Sequence, residues 1–274
     1  MGLFSLSCAG YSALADTSIP SSNQPSSNQP SSNQPSSDIP PANIHWSYQN
    51  ETGPAHWASL DTAFESCGSG QSQSPINVTA TTSTDLVNPD FHYQAVPLNL
   101  LNNGHTVKVP YAPGSYMTLD GIRYNLLQFH FHSPSEHAVE GQLWDAELHL
   151  VHQNDVGALA VVAVLLKESK HPEGIQPEDA YNNIGQNLPN KAGDKIRTQT
   201  TINAHNLLPS QATTYRYTGS LTTPPCSESV TWLVMTDPVE LPSAVLKRYR
   251  QLLNNNNRPL QRLNNRTVQM DISL

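Results

Sequence analysis

Between residues 126 and 152 the chain reads LLQFHFHSPSEHAVEGQLWDAELHLVH. If 126–132 is extended, side chains alternate faces, so Gln128, His130 and His132 share one face while Phe129 and Phe131 share the other. A second extended run over 146–152 puts Glu147, His149 and Val151 on one face, with Leu148 and Leu150 opposite. The joining segment holds Pro134 and Gly141, which lets the two runs pair antiparallel and bring His130, His132 and His149 to one point. Three neutral imidazoles suit Zn²⁺ and leave its fourth tetrahedral position open, the arrangement of a catalytic rather than a structural site. Gln128 and Glu147 each lie two residues ahead of a histidine on the same face. They offer the acceptors that metal-bound histidines use for their other N–H. The pattern by itself leaves the plainer alternative open, since an H-x-H pair is often two ordinary histidines. His137 and His152 break the face rule or lie at a strand end and are read as structural, hydrogen-bonded groups.

Strands and loops, more than helices, must position these groups. Pro and Gly recur every ten to fifteen residues. Between them lie short runs rich in Val, Leu, Thr and Tyr, at 105–109, 115–119, 126–132, 146–152, 158–166 and 230–235. The best helix candidates, 177–188 and 242–253, each carry a proline near the first turn. The expected architecture is mainly β. Lys and Arg number 14 against 22 Asp and Glu, a net charge of −8, which argues against a nucleic-acid partner. The longest apolar run has nine residues, 158–166, short of the roughly 18 that a membrane span requires.

The first forty residues read as something other than the folded domain. Residues 4–15 are mostly small and apolar and end Ala13-Leu14-Ala15, an A-x-A pattern that predicts a signal peptide over 1–15 and hence a periplasmic or secreted protein. The unit SSNQP then occurs at 21–25, 26–30 and 31–35. With no apolar side chain to bury and a proline every fifth residue, it cannot offset the entropy of ordering itself, so 16–41 is expected to be a low-complexity linker. The domain is expected over 42–274. Cleavage after Ala15 would remove Cys8 and leave Cys67 and Cys226, an even pair that favours a disulfide in an exported protein, the alternative being two free buried thiols.

These motifs resemble the α-class carbonic anhydrases. The resemblance is carried by Gln128-Phe129-His130-Phe131-His132, Ser135-Glu136-His137 and Ala146-Glu147-Leu148-His149-Leu150-Val151-His152. It continues in Gln73-Ser74-Pro75-Ile76-Asn77, Asn102-Asn103-Gly104-His105, Gly219-Ser220-Leu221-Thr222-Thr223-Pro224-Pro225, Asn257-Arg258-Pro259 and Asn265-Arg266. It implies a single domain around a large twisted, mostly antiparallel sheet with a few short peripheral helices. The implied activity is reversible hydration of carbon dioxide to bicarbonate and a proton, through zinc-bound hydroxide and a histidine proton shuttle. His130, His132 and His149 match the zinc ligands, and Gln128 and Glu147 their partners. Thr222 matches the residue that orients the hydroxide, Glu136 the carboxylate that takes the proton of Thr222, and His105 the shuttle. Thr223 matches a wall residue that helps place substrate or bicarbonate, and Val151, Val161, Leu221 and Trp232 match the apolar wall for carbon dioxide. Cys67 and Cys226 match the pair bridged in many exported members. Arg216, Thr218 and Lys108 depart from the family's usual residues, and Lys108 is expected to depress the shuttle's pKa. The competing readings are a carbonic-anhydrase-like binding module without hydration activity, which normally lacks a ligand present here, and a zinc hydrolase acting on esters.

Overall fold

Sixteen strands and four short α-helices form among the described residues, 45–79, 82–170 and 180–272 of a computed structural model. The strands are β1 (Asn77–Val78), β2 (Thr82–Thr84), β3 (Asp90–His92), β4 (Val96–Asn102), β5 (Val107–Pro110), β6 (Tyr116–Leu119), β7 (Ile122–His132) and β8 (Ala138–Val139). They continue with β9 (Gln142–Leu143), β10 (Ala146–Gln153), β11 (Leu159–Glu168), β12 (Lys195–Ile202), β13 (Thr214–Ser220), β14 (Glu228–Met235), β15 (Val239–Leu241) and β16 (Gln269–Asp271). The helices are α1 (Trp57–Leu60), α2 (Ser66–Ser69), α3 (Ala180–Gln186) and α4 (Ser243–Leu253). The signal-peptide and linker segments, 1–41, lie outside the described residues, as does the 177–179 start of one expected helix.

One 13-stranded sheet runs β12-β4-β5-β7-β10-β11-β14-β13-β16-β2, with β3, β6 and β15 attached off this path. Its pairings are antiparallel except β11 with β14, β11 with β15, and β16 with β2. A small sheet, β1-β8-β9, is built partly from the β7–β10 connection.

Strand β10 sits between β7 and β11 and is buried on both faces from Ala146 to His152. Leu148 and Leu150 turn into the larger core cluster with Phe129, Phe131, Val162, Val164 and Tyr249. His149 and Val151 turn the other way, Val151 joining Val161, Val230, Trp232 and Val234 in a second cluster. Strict alternation fails at one point in β7. Tyr124 and Leu126 share the core with Phe129 and Phe131, although their parity differs. The register explains it: Val151 opposes Gln128, but His152 opposes Leu126, so Leu127 is an extra residue that resets the faces. Without that bulge, burying Leu126 would turn His130 and His132 into the core.

Helix α4 packs Val245, Leu246, Tyr249 and Leu253 inward at helical spacing. Its end is set by Asn254, left-handed at φ 48°, whose N–H bonds the Arg250 carbonyl. The chain beyond it brings Asn256 and Arg258, both buried, against His132 and Glu136.

Candidate active site

His130 opposes His149 in the β7–β10 register, and His132 opposes Glu147. The ligand nitrogens of His130, His132 and His149 all lie within 4.8 Å of one another. Each ring is fixed by an acceptor behind it. His130 Nδ1 donates to Gln128 Oε1 at 2.9 Å, His132 Nδ1 to the Asn256 carbonyl at 2.7 Å, and His149 Nε2 to Glu147 Oε1 at 2.7 Å. Those acceptors require a proton on the bonded nitrogen, so in each neutral ring the other nitrogen carries a lone pair. These are His130 Nε2, His132 Nε2 and His149 Nδ1.

The His132 Nε2 atom is buried without a hydrogen-bond partner. A buried, unpartnered acceptor beside two more convergent lone pairs is costly unless a cation lies between them. Burial first, then the neighbouring His132, His149 and Lys108 charges, pushes His130 well below the usual imidazole range, with Glu147 opposing. Burial also lowers His132, again with His149, while Glu136, the Asn256 carbonyl and Glu147 oppose. Both rings are therefore neutral at neutral pH, and the donor set fits Zn²⁺.

Glu147 organises the floor. Its Oε2 accepts the backbone N–H groups of Glu136 at 2.8 Å and His137 at 2.7 Å, and its Oε1 accepts His137 Nδ1 at 2.6 Å besides His149. Burial pushes this carboxyl up, but the His137 and His149 charges and hydrogen bonds outweigh it and hold it well below the usual range. The far nitrogen of His137 meets the Tyr217 hydroxyl at 2.6 Å, so His137 has the structural role expected of it. His137, Glu147 and His149 also converge closely enough to suggest a metal, but these hydrogen bonds account for their contacts.

Glu136 is buried beneath the triad. Its Oε1 accepts the Arg258 N–H at 2.8 Å. Its Oε2 lies 3.5 Å from His132 Nε2 and 3.9 Å from His149 Nδ1, without a hydrogen-bond partner. The expected Thr222–Glu136 hydrogen bond is not made: Thr222 is buried, but Glu136 Oε1 takes the Arg258 N–H and Glu136 Oε2 has no partner. The Thr222–Thr223 turn is braced by the Cys226 N–H on the Thr223 carbonyl at 2.9 Å. Cys226 in turn is bridged to Cys67, across 159 residues.

A cavity of about 140 Å³ opens above His130 and His132, lined also by Trp46, Tyr48, Asn103, His105, Thr106, Lys108, Gln128 and Thr223. His105 sits on the β4–β5 turn, ahead of β5 rather than inside the run that begins the 105–109 stretch. Gly104 takes φ 88° there, and the Asn103 side chain accepts the His105 and Thr106 N–H groups at 2.9 and 2.8 Å. Burial, then the His45 charge, lowers the His105 pKa. The expectation that Lys108 would do so is corrected: its charge bears on His130, with which it is paired across β5 and β7. Val151, Val161 and Trp232 pack in one apolar cluster with Leu221 against it, and the Trp232 ring meets His149 edge to face at 4.9 Å.

Sequence reasoning assigned no role to Trp46, Tyr48, Asn256 or Arg258. Asn256 offers His132 a backbone carbonyl, which has no signature in residue type. Arg258 binds Gln73 Oε1 and the Ser74 and Cys67 carbonyls, each at 2.8 Å, and only the Asn257-Arg258-Pro259 motif drew attention to it.

Sheet and site together define a β-sheet protein with a histidine triad capable of binding a metal. Residues 52–272 match the family model described as eukaryotic-type carbonic anhydrase, and the chain belongs to that family of enzymes. It is 41% identical over 227 residues to a carbonic anhydrase of Klebsiella pneumoniae, covering 82% of this chain and 90% of that one. A hyperthermostable carbonic anhydrase from an active hydrothermal vent chimney superposes with TM-score 0.77 at 43% identity, covering 83% of this chain and all (100%) of that one. The α-carbonic anhydrase of Thermovibrio ammonificans, solved with the inhibitor sulfanilamide, gives TM-score 0.78 at 37% identity, covering 83% and 100%.

Proposed function

We propose that His130, His132 and His149 hold one zinc ion and that the chain catalyses reversible hydration of carbon dioxide to bicarbonate and a proton. The observation that carries this reading is the set of three imidazoles, each fixed in one tautomer by its own acceptor, with their free nitrogens convergent. Bound there, zinc supplies a strong nucleophile from water at neutral pH, because three neutral ligands leave its charge undiminished.

The rest is the work of the chain's own side chains. Val151, Val161, Leu221 and Trp232 offer carbon dioxide an apolar wall beside the triad. Thr222 accepts a hydrogen bond from the nucleophile only by giving its own hydroxyl proton elsewhere, and the partnerless Glu136 Oε2 is the acceptor we assign to it. Because that bond is not made in the structure, this assignment requires a side-chain movement. Thr223, at the cavity wall, helps to place substrate or bicarbonate. His105, at the rim, carries the released proton outward.

We place the protein in the periplasm or outside the cell, with 1–15 as signal peptide, 16–41 as linker and 42–274 as catalytic domain. The Cys67–Cys226 disulfide supports this reading. Among the described residues no helix is long and apolar enough to cross a membrane. Metal analysis paired with a stopped-flow hydration assay tests the function. About one zinc per chain with rapid hydration is expected, and a zinc-loaded protein without hydration activity would refute it.

A further inference from the structure

Lys108 lines the 140 Å³ cavity together with His130, His132, His105 and Thr223. It occupies β5 directly opposite His130 in β7. No hydrogen bond or ion pair engages its side chain among the described residues. The other side chains lining the cavity are Trp46, Tyr48, Asn103, Thr106, Gln128, Thr223 and the imidazoles of His105, His130 and His132, so Lys108 is the one lysine, arginine or carboxylate among them. The chain as a whole carries −8, which repels anions in general. A lone ammonium in a small, partly desolvated cavity reverses that field locally.

We propose that Lys108 is a specificity-determining residue that draws small monovalent oxyanions and pseudohalides to the triad, bicarbonate foremost. The proposal rests on the hydration reading above. One of the two reactants exchanged at this site is a neutral apolar gas and the other is an anion, so a fixed cation distinguishes between them. Lys108 strengthens binding of the anion and does nothing for carbon dioxide itself. Its charge, rather than its shape, carries the effect, so arginine substitutes for it and glutamine does not.

The test uses the full metal-loaded protein with K108Q and K108R. Thiocyanate binding to the cobalt-substituted forms, followed by visible absorption, reports anion affinity independently of turnover. Its Kd is expected to rise roughly three- to tenfold in K108Q, the size of one partly screened charge interaction, and to stay near wild type in K108R. Raising ionic strength with gluconate should weaken binding in wild type and much less in K108Q. In zinc-loaded protein the KM for bicarbonate should rise in K108Q with kcat held. Because both directions share one equilibrium constant, kcat/KM for hydration at the same pH then falls by the same factor. Equal thiocyanate Kd values and equal salt dependence in wild type and K108Q, with hydration intact in both, would overturn the role of Lys108 and leave the reaction standing. A wild-type protein that binds no metal and does not hydrate carbon dioxide would overturn both.

Discussion

The imidazole of His105 lies flat against the indole of Trp46, the ring centroids 3.7 Å apart and the planes 6° from parallel. Trp46 is itself held edge to face by Tyr48 and Trp57, so the stack is anchored in the N-terminal aromatic cluster. Covering one face of the imidazole removes water from it, and burial is the leading cause of its lowered pKa. Trp46→Ala should therefore raise the His105 pKa toward the ordinary 6.5, read from the ring proton shifts in an NMR titration. An unmoved or lowered pKa would mean that the stack does not set it.

If His105 carries protons, its removal should affect proton export and spare attack on carbon. His105→Ala should lower kcat roughly tenfold or more in dilute buffer, a barrier increase of about 1.4 kcal/mol. It should leave kcat/KM for carbon dioxide nearly unchanged, and added imidazole should restore much of kcat. Equal kcat with and without His105 in dilute buffer would assign the task to another group.

The triad was legible because strand alternation is local. His130 and His132 had to share a face, and Phe129 and Phe131 had to oppose them. The bulge at Leu127 was not legible, since nothing in Leu-Leu-Gln marks an extra residue, yet it allows Leu126 and Phe129 to share one core. The partner of His132 was equally hidden: a main-chain carbonyl at Asn256, 124 residues away, delivered by the turn after α4. Glu147 was read as serving His149, and the structure shows it serving His137 and two backbone N–H groups as well. The order of strands was not legible, because periodicity says which face a residue takes and nothing about which strand lies beside it; the family resemblance implied only a large twisted, mostly antiparallel sheet.

Metal binding and orientation of the nucleophile should separate by mutation. His132→Ala removes one of the three ligands proposed for zinc and should abolish nearly all bound zinc and hydration activity. Thr222→Ala touches no ligand, so zinc should stay near one per chain while kcat/KM falls roughly tenfold to a few hundredfold, about 1.4–3.5 kcal/mol of barrier. An unchanged kcat/KM in Thr222→Ala would show that Glu136 Oε2 receives nothing from Thr222 during turnover.

The Cys67–Cys226 bridge closes a span of 159 residues and ties the N-terminal aromatic cluster to the turn that bears Thr222 and Thr223. Cross-links over long spans stabilise by about 2–4 kcal/mol, chiefly by restricting the unfolded chain. Reduction should lower the melting temperature by roughly 5–15 °C for a domain of this size and leave zinc content unchanged. Peptide mapping of unreduced exported protein should recover the two cysteines as one linked pair, and free thiols at both positions would contradict it.

His152 gives the acid limb of stability a separable component. It is fully buried; its Nε2 meets the Tyr93 hydroxyl at 2.7 Å, and its Nδ1 has no hydrogen-bond partner. Burial lowers its pKa to about 4, against smaller opposing contributions from the backbone of Leu150 and Ala160. In the unfolded chain the ring titrates near 6.5. Between those values the unfolded state binds a proton that the folded state refuses, so stability is complete above about pH 6.5 and declines as pH falls. The His152 contribution is lost as pH passes through about 4, a total of roughly 3 kcal/mol for a shift of this size. His152→Gln keeps a polar group opposite Tyr93 and cannot ionise. Urea unfolding at pH 7 and pH 4.5 should therefore show a smaller loss of stability in the variant than in wild type. The difference between the two proteins isolates this residue, because the histidine triad is common to both. Identical losses would show that His152 is not protonated on unfolding over this range.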